Sequence, residues 1–143
     1  MTLDLKRRAV LGMSGLAAST IGLAIMLDPQ SFYASYGIVF SPQPNLMSEL
    51  RAPAANLAAL GLIILSGAFF QKFLQASAWL GVTVFSAFAI GRTISFVLDG
   101  RPSDSILTAF AIEVFLALLC LWVALEKRSV EETDDETFNT VQT

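Results

Sequence analysis

Residues 91–102 read Gly91-Arg92-Thr93-Ile94-Ser95-Phe96-Val97-Leu98-Asp99-Gly100-Arg101-Pro102, and Glu113 follows eleven positions later. Arg92 and Glu113 are ionisable side chains set inside long apolar runs, with a short polar turn between them. Gly and Pro punctuate that turn, and Ser103 or Asp104 can cap the helix after it. So short a connection makes the two flanking runs antiparallel neighbours. The stretch therefore reads as a helix hairpin in apolar surroundings, with one charge on each arm.

Outward from it, the composition agrees. The chain has 143 residues, 55% hydrophobic and only 15% charged, against about 25% charged in soluble domains. Mean hydropathy is +0.64. A bilayer-spanning helix needs ~20 mostly apolar residues. Four runs reach that length, at about 9–27, 52–70, 76–98 and 105–125. The expected fold is all-α: a polytopic membrane protein forming an antiparallel bundle of four transmembrane helices, with the transmembrane domain over residues 1–128.

Charge sets the orientation. Lys6, Arg7, Arg8, Lys72, Lys127 and Arg128 fall on one side of four spans, and Arg51 and Arg101 on the other. Basic residues in short loops stay inside, so both termini are expected in the cytoplasm of a bacterial inner membrane. The net charge of −3 comes from the end of the chain. Without residues 129–143 there are nine basic against seven acidic residues. That acidic, Thr-rich tail is expected to be disordered and cytoplasmic. Lys6-Arg7-Arg8 ahead of an apolar run resembles the start of a signal peptide, but the run exceeds the usual ~7–15 apolar residues; the reading is an uncleaved first helix.

The connection 28–51 carries Phe32, Tyr33, Tyr36 and Phe40. Aromatics at this density suit a membrane interface, so the segment is expected to lie on the outer surface or fold over the bundle mouth. Ser41-Pro42-Gln43-Pro44 breaks any helix, Ser48 or Asn45 can cap a short helical lead-in, and Pro53 belongs in a first turn. The second span is therefore expected to start near Ala52, or else to kink after that lead-in. Small residues permit close helix approach in lipid. Ser14, Ala18 and Gly22 make such a row in the first span, and Ala87, Gly91 and Ser95 in the third. Ala109 and Ala117 flank Glu113, which places that carboxylate on an inward face.

A charged residue in a span costs at least ~2.5–3.5 kcal/mol near the helix centre, so it pairs or lines a cavity. At ~1.5 Å per residue, Arg92 and Glu113 both lie roughly 10 Å below the outer end and can meet. Arg92 and Asp99 share a helix face at a spacing of seven. Glu49 and Asn56 repeat that spacing at the start of the second span, and Arg51 and Arg101 add guanidinium groups at the mouth. Glu49, Arg51, Asn56, Arg92, Asp99, Arg101 and Glu113 are the candidate polar site, as one network opening outward. Three roles fit it: a structural pair fixing helix register, a pocket for a polar or anionic group, or a proton or ion path.

Other chemistry lacks its residues. The chain contains no histidine and one cysteine, Cys120. That argues against His-ligated haem and most zinc sites, and removes the commonest general base near neutral pH. No metal, cofactor or nucleophile–base set is assigned, so the reading leans away from an enzyme. No basic stripe points to nucleic acid. The expected function is an accessory or assembly subunit of a larger membrane complex, or a packing module, with membrane lipids and other subunits or a second copy as partners. The alternative is binding of a lipid or a small anionic or amphiphilic ligand from the outer leaflet, with an enzymatic role left open.

The order Glu49-Leu50-Arg51-Ala52, Gly61, Gly91-Arg92, Asp99-Gly100-x-Pro102 and Glu113, with the segment Pro29 to Gly37, resembles an uncharacterised bacterial family of four-helix integral-membrane proteins known as a domain of unknown function. The resemblance covers about residues 9–125 and implies the fold and a polar site; no activity comes with it. The chain departs from the family pattern at Pro53-Ala54-Ala55. A looser similarity is to small DoxX-like membrane proteins, some linked to quinone or thiol redox chemistry.

Overall fold

In a computed structural model, the backbone is described for residues 2–141 and the side chains for residues 4–126. Helix α1 runs Thr2–Leu27, α2 Pro29–Ala34, α3 Pro44–Phe69, α4 Leu74–Asp99 and α5 Asp104–Val141, with a 3-10 turn at Gln71–Phe73 between α3 and α4. Four helices are long and apolar enough to cross a membrane, over Asp4–Leu27, Pro44–Phe69, Gln71–Asp99 and Asp104–Glu126. The expectation for the tail 129–143 falls on residues whose side chains lie outside those described.

Of the two starts expected for the second span, the structure has the earlier one, with helix ahead of Pro53. The span begins at Pro44 with Gln43 at the cap position and no side-chain cap bond, and Pro53 sits within it. Neither Asn45 nor Ser48 is therefore the cap. Pro44 occupies the first helical position, where the missing N–H is an orphan anyway. The helix then continues through Pro53, at the cost of one backbone bond in its interior.

The four long helices form two close pairs, α1 with α3 and α4 with α5; α3 also packs on α4, and α1 meets both α4 and α5, whereas α3 and α5 stand diagonally across the bundle. Glycine explains the closeness of the first pair. A Cβ on Gly15 would fall into the Leu65 backbone, one on Gly22 into that of Ala58, and one on Gly61 into that of Ser19. Ser14 and Ala18 are buried beside this seam, Ser14 against Cys120 of α5, so the first-span row of small residues packs within the bundle. The Ala87–Gly91–Ser95 row does not. All three are exposed, and a Cβ on Gly91 would meet nothing within 4 Å. The inward row of α4 is Ser77, Ala78, Gly81 and Phe85, continued by Arg92; Gly91 lies about 100° around the helix from its successor.

The core is tightest at the end away from α2. Leu11, Ser14, Ile64, Leu74, Ser77, Cys120 and Val123 are fully buried there, with the Cys120 thiol donating to Ser14 Oγ at 3.4 Å. At that same end Arg7 pairs with Glu126 at 3.4 Å and Arg8 donates to Gln71 Oε1 at 2.9 Å. These contacts gather the start of α1, the 3-10 turn and α5 at one end of the bundle. Large apolar side chains such as Leu16, Leu62, Ile90, Val97, Phe115 and Leu118 cover the outside. Such all-round hydrophobicity suits helices that meet lipid.

Candidate functional site

At the opposite end the two helix pairs separate and enclose a cavity of about 330 Å³. Ala17, Ile21 and Ile25 of α1, Leu50, Pro53, Ala54 and Leu57 of α3, Phe85 and Phe88 of α4, and Ala109, Ile112 and Leu116 of α5 make its apolar walls. Phe32, Tyr33, Tyr36 and Ile38 close it from above.

The roof has its own local logic. Asp28 caps α2 by accepting a hydrogen bond from the Ser31 amide at 3.1 Å, and Pro29 starts the helix. The Ser31 side chain and then its backbone amide hold the Asp28 carboxyl below its usual pKa of 3.8. After α2 the chain turns back at Gly37, whose φ is 78°. Ring contacts of Phe32 with Tyr33 at 5.5 Å and with Tyr36 at 5.4 Å, and of Tyr33 with Phe40 at 6.1 Å, make the segment one aromatic unit. Of the two placements expected for it, over the mouth or flat on the surface, the structure has the first. Arg51 pins the junction from below: its Nε donates to the Met26 carbonyl at 3.1 Å, satisfying an end carbonyl of α1.

Arg92 and Glu113 meet across the α4–α5 hairpin. Arg92 Nε donates to both carboxylate oxygens of Glu113, at 2.8 and 3.0 Å. The side chains keep 29% and 14% of their exposure, and both line the cavity. Gly100, with φ 92°, makes the reversal that sets them at one depth. Among the described residues no hydrogen-bond acceptor is paired with Nη1 or Nη2 of Arg92. The guanidinium thus keeps free donors beside a mostly apolar space. Tyr33, Tyr36, Ser105 and Thr108 supply the other hydroxyls of the lining; that of Thr108 is used on the Asp104 carbonyl at 2.9 Å.

The remaining candidate residues do not join this pair, so the single network expected from spacing is corrected to one pair and several separate contacts. Asp99 accepts from Ser95 Oγ at 2.8 Å and Arg101 pairs with Asp104 at 3.3 Å, both on the surface. Glu49 and Asn56 are exposed and make no hydrogen bond among the described residues. The cavity face of α3 carries Leu50, Pro53, Ala54 and Leu57, and Asn56 is turned off it. Spacing of seven put Glu49 with Asn56 and Arg92 with Asp99 correctly on shared faces, but could not tell which face turns inward.

Sequence reasoning missed most of the walls. Ile21, Ile25, Phe85 and Phe88 look like any other apolar residue of a span. It also missed Ser105 and Thr108, and the Arg7–Glu126 pair at the far end. The aromatic density of 32–40 did signal the roof, as one of the two placements expected for that segment. Among the described residues no group of three or more His, Cys, Asp or Glu side chains could hold a metal ion.

Compared with curated proteins and with solved structures, the chain matches none. Residues 7–124 match the family described as a domain of unknown function, DUF4345, and the chain belongs to that family.

Proposed function

We propose that this is a small multi-pass protein of a bacterial inner membrane, both termini cytoplasmic, that binds a single amphiphile from the outer leaflet. The ligand lies in the cavity between the two helix pairs, its apolar part against α1, α3 and α5 and its polar end at Arg92. The observation that carries this reading is the cavity itself: about 330 Å³ of mostly apolar space meeting a guanidinium that keeps unused donors. A structural pair alone needs no such space. Ligand sites are concave, largely apolar, and carry a few placed polar groups. The positive-inside bias supports the orientation, and the gathering of Arg7, Arg8 and Glu126 at the end away from the cavity agrees with it.

Native mass spectrometry of the detergent-extracted protein tests the reading. Wild type should retain a lipid-sized adduct, and Ala109→Phe, which fills the cavity from α5, should lose it while staying folded. An empty wild type, or equal retention by the filled variant, removes it.

A second reading, an accessory subunit or self-associating module, rests on the exposed Ala87–Gly91–Ser95 row of α4. Such rows let another helix approach closely. Co-purification in mild detergent should then show a partner or a second copy that Gly91→Leu abolishes; a monomer without a partner counts against it.

A further inference from the structure

We infer that the amphiphile carries an uncharged head bearing a hydrogen-bond acceptor, such as an ester or carbonyl, and that Glu113 selects against anions. The inference rests on the amphiphile-binding reading above and names its ligand class. Among the described charged residues, only Arg92 and Glu113 line the cavity, so the formal charge of that lining is zero. Glu113 takes the Nε–H of Arg92 with both oxygens and neutralises the guanidinium locally. An anionic head arriving at Nη1 or Nη2 would add a negative charge beside the carboxylate, in apolar surroundings where an uncompensated charge is costly. A neutral acceptor adds none and satisfies a free N–H. A donor on the same head can use the remaining lone pairs of Glu113.

Size narrows the class further. The cavity stands at the low end of the ~300–1,000 Å³ typical of ligand pockets. It suits one chain or ring; because it is partly open, the second chain of a phospholipid would lie outside it. A single-chain neutral glyceride fits both criteria, and a single-chain anion fits only the second.

The test compares monopalmitoylglycerol with hexadecyl sulfonate, whose charge is permanent, on the full chain in neutral phosphatidylcholine nanodiscs. Binding is read by native mass spectrometry and by thermal unfolding. Wild type should bind the glyceride roughly tenfold more tightly. In Glu113→Gln the lining gains a net positive charge, and the preference should reverse. Equal or tighter binding of the sulfonate by wild type overturns the inference and leaves the amphiphile reading in place. A folded Glu113→Gln that still prefers the glyceride also overturns it. Binding of neither probe by wild type removes both. The wild-type comparison stands alone even where the variant does not fold.

Discussion

Arg92 and Glu113 show how an ion pair in an apolar bundle can serve both packing and recognition. Removing one partner strands the other. Arg92→Ala should therefore destabilise the protein by about 1–3 kcal/mol, less than the ~3–5 kcal/mol of a fully buried pair, because 29% and 14% of the side chains remain exposed. Thermal unfolding in detergent measures this. Replacing both, as Arg92→Met with Glu113→Leu, should restore most of the stability and still abolish ligand retention. Retention by the double variant would show that the pair is only structural. Asp28 acts on the roof rather than the cavity. Its folded pKa is depressed by Ser31, so its stabilising contribution is complete above the usual 3.8 and disappears as pH falls through the lower folded value. Proteolysis within residues 35–43 should accelerate in that acid window, and Asp28→Asn should flatten the dependence.

The helices divide into those whose spacing glycine sets and those whose spacing leaves room. In the α1–α3 pair the nearest neighbours of Gly15, Gly22 and Gly61 are backbone, which cannot swing aside. Gly61→Leu should cost at least about 1–3 kcal/mol through overpacking. Gly91→Leu, on the open face of α4, should leave the unfolding temperature of the isolated protein close to wild type. Equal damage from both would mean that the α4 face is covered. Part of this contrast was legible in the chain. Ser14, Ala18 and Gly22 and the row at 87, 91 and 95 share one pattern, yet one packs within the bundle and the other does not. Spacing fixes which residues lie on a common stripe, but the rotation of a helix about its axis depends on its neighbours. The start of α3 is a separate case: of the two expectations, a span from near Ala52 or a helical lead-in ahead of Pro53, the structure has the helical lead-in. Pro53 suggests a first turn, and the helix nevertheless extends from Pro44, because one lost backbone bond is outweighed by the added helix ahead of it.

The bundle is tight where Leu11, Ile64, Leu74 and Cys120 meet and holds its cavity beneath α2. This asymmetry predicts labelling. With Cys120 buried and silent, Ser41→Cys and Ser103→Cys should react with a membrane-impermeant maleimide added outside intact spheroplasts. Gln71→Cys should react only after lysis. Labelling of all three from outside would overturn the four-span orientation.

Four apolar runs, one hairpin and two opposed charges at matched depth were enough to obtain an all-helical bundle and its central ion pair from the chain alone. Hydrocarbon makes those features local, since each span must satisfy its own backbone and each buried charge must find a partner. The cavity and the dispersal of Glu49, Arg51, Asn56, Asp99 and Arg101 away from that pair arise from how the two helix pairs splay and rotate. Those are sums of many weak contacts between residues distant in sequence, and no short stretch encodes them.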